Sequence, residues 1–244
     1  MGCSCHTHIP LFVLSPFYQQ TQFLTSAATL TQTPPDSGYE IAFAGRSNAG
    51  KSSVINTLCQ QKKLARTSRT PGRTRLLNFF RVDATRRLVD LPGYGYARVA
   101  ASIKQQWQRN LADYLEKRHC LRGLILVMDA RHPLKSYDCH MLDWANTISL
   151  PVHILLTKSD KLNPTDARLC LQQVRQALLA HQLTASAQTF SSHKHWGITE
   201  AQARLDQWFS ITQTSLRPGS DTASDAERTQ SPVTDAYDGR WYEG

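Results

Sequence analysis

The sequence predicts an α/β fold in three layers, with a mostly parallel central sheet between two layers of helices. Apolar strand patterns alternate with helical patterns along most of the 244 residues, which is typical of βαβ units. Residues 123–129 and 152–156 are largely apolar runs of the kind that a parallel sheet buries on both faces. A chain of this length suits one such domain with tails.

The individual elements follow from apolar periodicity and from local start signals. Pro164 stands at a position that favours the first turn of a helix, and Thr199 with Gln202 fits a capping box. The predicted strands are residues 39–44, 77–82, 87–91, 123–129, 152–156 and 187–190. The predicted helices are residues 51–58, a segment around 103–115, and three helices that begin near Ser136, Pro164 and Thr199.

Both ends of the chain differ in composition from the part between them. Residues 1–38 are rich in Ser, Thr, Gln and Pro, so we expect a mostly flexible N-terminal extension with at most a short helix at 25–30. Residues 39–212 are expected to form the domain, and residues 213–244 an acidic, disordered tail. Cys3, Cys5, His6 and His8 could bind a metal, but their spacing fits no zinc module, and a flexible segment is the preferred interpretation.

The net charge of +9 indicates a nucleic acid or another anionic surface as a partner. Six cysteines without a Cys-x-x-Cys pair are typical of reduced thiols. No apolar stretch approaches the roughly 20 residues that a membrane helix needs, and no charged segment precedes the apolar residues near the start. We therefore expect a cytoplasmic protein without membrane contact, and we expect it to be a monomer.

A Gly-rich loop separates the first predicted strand from the first predicted helix. The phosphate-binding pattern G-x-x-x-x-G-K-[ST] is matched by Gly45, Arg46, Ser47, Asn48, Ala49, Gly50, Lys51 and Ser52. Such a loop lets backbone N–H groups converge on phosphates, and the following helix directs its positive end at them. Lys51 is expected to neutralise the β- and γ-phosphates, and the Ser52 hydroxyl to bind Mg²⁺. The fold class narrows to a P-loop NTPase sandwich, although the loop alone does not distinguish ATP from GTP.

A second motif is expected to select the base. The strand at 152–156 is followed by the [NT]-K-x-D sequence Thr157, Lys158, Ser159 and Asp160. The Asp160 carboxylate can accept hydrogen bonds from N1–H and the exocyclic amino group of guanine, whereas it would stay unpaired against adenine. The Lys158 stem can lie over the base plane. After the last predicted strand, a backbone N–H near the guanine carbonyl would come from Phe190, Ser191 and Ser192. The predicted ligands are therefore GTP and GDP.

Two segments are expected to sense the γ-phosphate. One is the D-x-x-G sequence Asp90, Leu91, Pro92 and Gly93, in which Asp90 would hold Mg²⁺ through water and the Gly93 N–H would contact the γ-phosphate. The other is switch I, where nucleotide contacts are expected from Gly72, Arg73, Thr74, Arg75 and Leu76. Thr74 is the preferred magnesium ligand there because it lies just before the strand at 77, and Thr70 is the local alternative. Ser52 and Thr74 are thus the predicted protein ligands of Mg²⁺.

The sequence assigns no catalytic residue. A Ras-like enzyme places Gln directly after D-x-x-G to orient the attacking water, and Tyr94 occupies that position here. Because a phenol cannot orient water as an amide does, we expect Tyr94 to turn away and intrinsic hydrolysis to be slow. The missing element would come from a partner or from a monovalent cation. Asn48 of the Gly-rich loop makes K⁺ a candidate for that cation.

Basic residues cluster around switch I. Residues 62–87 contain nine Lys or Arg and one Asp. An RNA backbone would bind such a segment by charge neutralisation, with strong salt dependence. RNA contact is the preferred interpretation, and a solvated flexible loop is the alternative.

Together these motifs resemble the EngB/YihA (YsxC) family of Era-like GTPases, over about residues 39–209. The most specific parts are Pro-Gly-Arg-Thr at 71–74, followed by Asn-Phe-Phe at 78–80, and Asp-Leu-Pro-Gly-Tyr-Gly-Tyr-Ala at 90–97. The resemblance implies a bacterial GTPase that acts in assembly of the large ribosomal subunit and is needed for normal cell division and septation. The large subunit or its precursor would be the partner, with ribosomal RNA at the basic switch I region. The alternative function is a nucleotide-binding interaction factor in cell division, for which hydrolysis is incidental.

Overall fold

The computed structural model describes residues 15–65, 76–94 and 101–211, without the side chains of 101–108. Its strands are β1 Gln22–Ala27, β2 Tyr39–Gly45, β3 Leu77–Arg81, β4 Arg86–Asp90, β5 Leu121–Asp129, β6 Val152–Thr157 and β7 Ala185–Thr189. Its α-helices are α1 Lys51–Leu58, α2 Ala101–Lys117, α3 Ser136–Thr147, α4 Pro164–Ala180 and α5 Ile198–Trp208. The strands and helices predicted between residues 39 and 209 are all present, with ends that differ by a few residues.

The strands form one sheet in the order β1-β3-β4-β2-β5-β6-β7. β3 runs antiparallel to both β1 and β4, and every other pair of neighbours is parallel. The sheet is therefore mostly parallel, as predicted. The carboxyl ends of β4, β2, β5, β6 and β7 meet at one edge, which is where ligands bind in sheets of this type.

Helices cover both faces of the sheet, so the predicted three layers are confirmed. On one face, Tyr114 of α2, Leu142 of α3 and Val174 of α4 are buried in a single apolar cluster. On the other face, Ile55 of α1 and Leu205 of α5 belong to a second cluster. Burial of both sheet faces explains why β5 and β6 are almost entirely apolar.

The segment before β2 requires a correction. Residues 25–30 were expected to form at most a short helix, but Thr25, Ser26 and Ala27 belong to β1, which pairs with β3 from Gln22 opposite Arg81 to Ala27 opposite Leu77. The predicted boundary at residue 38 therefore leaves out a strand of the sheet. Residues 1–14 and 212–244, with the flexibility and the metal site considered for them, lie outside the described residues.

The predicted linker at 34–38 is fastened by a buried charged network. Glu40 of β2 is fully buried, and its Oε1 accepts from Arg87 Nε at 2.8 Å and from Arg118 Nη2 at 2.7 Å. Both guanidinium groups also donate to the Pro35 carbonyl, at 3.0 and 3.2 Å. A buried carboxylate is stable only when it is paired. The two arginines that pair with Glu40 also bind the Pro35 carbonyl, so the network holds the linker against the sheet.

The start of α5 also differs from the prediction. The helix begins at Ile198 after Gly197, whose φ of 75° lies in the left-handed region, and no side chain caps it. Gln202 is buried instead, where its Nε2 donates to the Leu58 carbonyl at 2.9 Å and its Oε1 accepts from the Ser15 N–H at 3.2 Å. The predicted capping box of Thr199 and Gln202 is therefore wrong, because Gln202 joins α5 to α1 and to the N-terminal segment.

The cysteines among the described residues are all buried. Cys59, Cys120, Cys139 and Cys170 are buried free thiols. Burial raises the pKa of Cys59 to about 12. None of the helices in ranges 15–65, 76–94 and 101–211 has the length and apolar character that membrane crossing requires.

His153 is expected to make the fold sensitive to acid. Its Nδ1 lies 2.8 Å from the Ser186 hydroxyl and its Nε2 lies 2.8 Å from Gln188 Oε1, both on β7. Burial lowers the pKa of His153 from 6.5 to about 4. The unfolded chain therefore binds a proton at higher pH than the folded one, so this stability is complete above pH 6.5 and is lost as pH falls towards 4.

The measurement is the free energy of urea unfolding at pH 7.5 and at pH 4.5, for the wild type and for His153→Gln. The wild type should lose about 2 to 3 kcal/mol more than the variant between these pH values. The same loss in both proteins would show that His153 is not the group responsible.

Candidate nucleotide-binding site

The Gly-rich loop lies between β2 and α1, at the centre of the sheet and at its carboxyl edge. A Cβ at Gly45 would lie 2.6 Å from the Val127 carbonyl oxygen, so the close approach of β2 to β5 requires glycine there. Gly50 has a φ of 100°, which lets the chain turn into α1. The two glycines of the motif therefore serve different purposes, one in strand packing and one in the turn.

The carbonyl groups of the loop are turned towards the end of β6. The Thr157 hydroxyl donates to the Ala49 carbonyl at 2.5 Å, and Lys158 Nζ donates to the Asn48 carbonyl at 2.7 Å. In a planar trans peptide the N–H points opposite to the C=O. The Gly50 N–H, which shares a peptide unit with the Ala49 carbonyl, therefore points away from Thr157.

This arrangement leaves backbone donors at the start of α1. The N–H groups of Gly50, Lys51 and Ser52 donate no backbone hydrogen bond within the part of the chain that the structure describes. Free donors at a helix N-terminus, in the positive field of the helix, form a site suited to a phosphate.

Two predicted site residues are in direct contact. The Lys51 ammonium and the Asp90 carboxylate form an ion pair in which the side chains are only 10% and 6% exposed. Asp90 is the last residue of β4, and pairing with Phe43 of β2 and Asn78 of β3 fixes its position. The structure thus places Lys51, the candidate phosphate-binding residue, in contact with Asp90, the carboxylate expected to hold Mg²⁺ through water.

The candidate base-reading residues are joined by a hydrogen bond. The Ser191 hydroxyl donates to Asp160 Oδ1 at 2.6 Å, and this bond lowers the pKa of Asp160, so the carboxylate is ionised at neutral pH. The Ser191 N–H is bonded to the Trp196 carbonyl at 3.1 Å. The Ser191 N–H is thus occupied, and the Ser192 N–H remains as the candidate donor to the guanine carbonyl.

Asp129 and Arg131 complete this region, and neither belongs to a motif predicted from the sequence. Asp129 ends β5, and its Oδ2 accepts from Lys158 Nζ at 2.9 Å and from Arg131 Nη2 at 2.7 Å. Burial alone would raise the pKa of Asp129, but the hydrogen bonds from Arg131 and Lys158 outweigh it and lower the pKa. The available signal was an Asp at the end of a buried parallel strand, at the edge of the sheet where the other motifs lie.

A cavity of about 210 Å³ lies between the Gly-rich loop and the ends of β5 and β6. Its lining is mostly polar and includes several basic groups. The lining residues are Arg46, Ser47, Asn48, Ala49, Met128, Asp129, Arg131, His132, Asp138 and Lys158. Asp129 therefore positions Lys158 at the wall of this cavity.

Tyr94, which stands where Ras-like enzymes carry Gln, is directed towards α3. Its hydroxyl donates to Asp138 Oδ1 at 2.9 Å, and the side chain is buried. Its backbone carbonyl accepts from the Ser47 N–H at 3.0 Å, which holds the segment after Asp-x-x-Gly against the Gly-rich loop. The hydrogen bond therefore commits the Tyr94 hydroxyl to Asp138 of α3.

Tyr94→Phe is expected to lower the free energy of unfolding by about 1 to 2 kcal/mol, because it removes one buried hydrogen bond. Asp138 keeps its other bond, from the Lys135 N–H at 3.1 Å. The single-turnover rate of GTP hydrolysis should not change, because the hydroxyl is committed to Asp138. A rate reduced about tenfold in a variant that still binds GTP would show that the Tyr94 hydroxyl takes part in hydrolysis.

Part of the predicted site lies outside the described residues. This holds for Gly72, Arg73, Thr74 and Arg75, whereas Leu76 is described and 39% exposed.

Ser52 is the second residue of α1, next to the Lys51–Asp90 pair. A hydroxyl and a carboxylate are oxygen donors of the kind that Mg²⁺ prefers. Within the described ranges there is no group of three or more His, Cys, Asp or Glu that could hold a metal.

The fold and the arrangement of these motifs define a P-loop GTPase. A family model described as "50S ribosome-binding GTPase" matches residues 40–158. The probable GTP-binding protein EngB of Enterobacter sp. (strain 638) is 54% identical over 192 residues, which are 79% of this chain and 92% of that protein. The protein of the same name from Coxiella burnetii (strain CbuK_Q154) is 52% identical over 199 residues, 82% of this chain and 97% of that protein. The chain belongs to the EngB family of GTP-binding proteins.

Solved structures share the fold. The crystal structure of a probable GTP-binding protein engB has a TM-score of 0.56 and 18% identity, and the match covers 71% of this chain and 100% of that chain. Era from Aquifex aeolicus also has a TM-score of 0.56, with 20% identity over 70% of this chain and 57% of that chain. Both the predicted α/β P-loop fold and the predicted family are confirmed.

Proposed function

We propose that this chain is a slow GTPase that acts in the cytoplasm as a switch in assembly of the large ribosomal subunit. The observation that carries the proposal is that the candidate base-reading segment is hydrogen-bonded to the Gly-rich loop. Thr157 and Lys158 hold the loop carbonyls while Asp160, two residues further on, is kept ionised by Ser191. A guanine that pairs with Asp160 would therefore lie at a fixed distance from the phosphate donors.

The phosphates would be bound at the N-terminus of α1. The N–H groups of Gly50, Lys51 and Ser52 would donate to them, and the Lys51 ammonium would leave Asp90 to neutralise the β- and γ-phosphates. Ser52 and Thr74 would hold Mg²⁺, with Asp90 reached through water, and the ion would neutralise phosphate charge. The Gly93 N–H would contact the γ-phosphate.

We expect intrinsic hydrolysis to be slow because of the position of Tyr94. Its side chain is occupied by Asp138, so it does not supply the water-orienting group that Gln supplies in Ras-like enzymes. Acceleration would then depend on a group from the ribosomal partner or on K⁺ near Asn48.

The ribosomal partner is supported by the family description and by charge. The matched model is described as a 50S ribosome-binding GTPase, and residues 62–87 carry nine Lys or Arg against one Asp. Ribosomal RNA would bind this segment by releasing counterions. A requirement in cell division and septation would follow from the supply of ribosomal subunits.

The test is GTP hydrolysis by the full chain with and without large ribosomal subunits, in K⁺ and in Na⁺. Small subunits serve as the matched control for added RNA and charge. Stimulation by large subunits but not by small subunits supports the proposed switch function. A slow rate that no condition changes, with tight GTP binding intact, would favour the alternative of a nucleotide-binding interaction factor in cell division.

A further inference from the structure

A groove of about 610 Å³ lies on the edge of the sheet, between β1 and the loop that follows α1. We call it the β1 groove, and its lining residues are Thr21, Gln22, Phe23, Gln61, Lys62, Lys63 and Leu64. It contains none of the candidate nucleotide-binding residues. Its β1 wall also precedes residues 40–158, which the family model matches.

Hydrogen bonds fix the two walls of the groove to each other. Gln61 Nε2 donates to the carbonyls of Gln19 at 2.8 Å and Thr21 at 2.6 Å, which joins the loop to the segment before β1. The Asn56 amide closes the other end of the loop, since its Nδ2 donates to the Ala65 carbonyl at 2.9 Å and its Oδ1 accepts from the Ala65 N–H at 2.7 Å. The two lysines therefore lie on a loop anchored on both sides.

The β1 wall presents an aromatic ring. Phe23 is 57% exposed, although it is a large apolar side chain. It packs edge to face against the buried Phe80, with the ring centroids 5.9 Å apart. Lys62 and Lys63 of the opposite wall are exposed. An exposed aromatic ring beside exposed ammonium groups is the combination with which proteins bind single-stranded nucleic acid, because bases stack on the ring and phosphates pair with the charges.

The sequence on both sides of the lysine wall is basic and contains no acidic residue. No Asp or Glu occurs among residues 41–82, which include nine Lys or Arg. Directly after the lysine wall the sequence continues with Arg66, Arg69, Arg73 and Arg75. A polyanion complements such a basic segment better than a mixed-charge protein does.

We propose that the β1 groove binds a single-stranded segment of RNA, with a base stacked on Phe23 and phosphates at Lys62 and Lys63. The inference rests on the proposed function and adds the place of RNA contact, on the edge strand. In the sequence, the lysine wall is followed directly by the basic switch I segment, which is the part of the chain expected to respond to GTP.

The test is the affinity of the full chain for a fluorescein-labelled single-stranded RNA of about 12 nucleotides, measured by anisotropy at several salt concentrations. Phe23→Ala should weaken binding about tenfold, and Phe23→Trp, which keeps a ring, should not. The double variant Lys62→Glu, Lys63→Glu should reduce the slope of log affinity against log salt by about 1.4. On α4, Leu179→Ala and Arg168→Glu are the matched controls and should bind RNA like the wild type. All variants should bind GDP equally.

Three results would overturn the inference. If the wild type binds large subunits and RNA, and the groove variants do so equally, the groove is not the RNA site while the proposed function stands. If the wild type binds neither the RNA nor the subunits, the proposed function fails as well. If the groove variants lose subunit binding but keep full RNA affinity, the groove binds a protein.

Discussion

Asp160→Asn is expected to weaken GTP binding about a thousandfold, because two charge-assisted hydrogen bonds to guanine are lost or reversed. The same variant should gain affinity for xanthosine triphosphate. Xanthine carries a carbonyl at C2 where guanine carries an amino group, and an Asn amide can donate to that carbonyl while its oxygen accepts from N1–H. Titration of fluorescent GTP and xanthosine triphosphate analogues measures both effects.

Ser191→Ala is the matched control for this prediction. It keeps the Asp160 carboxylate but removes the 2.6 Å hydrogen bond that orients it. GTP affinity should fall about tenfold through lost orientation, with no gain for xanthosine triphosphate. Unchanged GTP affinity in Asp160→Asn would show that Asp160 does not read the base.

Lys51→Met is expected to remove measurable GTP binding and also to destabilise the folded chain by about 3 kcal/mol. The first effect follows from loss of the charge that neutralises the β- and γ-phosphates. The second arises because Lys51 and Asp90 form a mostly buried ion pair, and removal of one partner leaves the other charge uncompensated.

A double variant separates the two effects. Lys51→Met combined with Asp90→Asn removes both charges, so it should recover most of the lost stability while GTP binding remains absent. Urea unfolding and nucleotide titration on the wild type, the single variant and the double variant provide the comparison. A double variant that is less stable than Lys51→Met would show that Asp90 is held mainly by partners other than Lys51.

Several parts of the site could be predicted because they are encoded by neighbouring residues. The Gly-rich loop, the sequence from Thr157 to Asp160 and the sequence from Asp90 to Gly93 each follow a strand that is recognisable from its own apolar pattern. Parallel strands end at the same edge of a sheet, so the order of these motifs was enough to predict that they would meet.

Other parts of the site depend on contacts between residues far apart in the chain. Nothing near Tyr94 in the sequence indicates that its hydroxyl would bond to Asp138, 44 positions away. The bond between Lys158 and Asp129 joins the ends of two neighbouring strands, and it gives a role to a carboxylate that fits no motif. Such partners become visible only when the sheet brings β5 and β6 side by side.

The sequence by itself determined the fold class, the family and the residues proposed to bind GTP, since each rests on local periodicity or on a short motif. The tertiary structure alone decided that residues 22–27 extend the sheet, that Gln202 binds the Leu58 carbonyl and that Lys51 pairs with Asp90. The physical reason is the same in each case. A polar strand or side chain has several ways to satisfy its hydrogen bonds, and the distant groups that packing places beside it select among them.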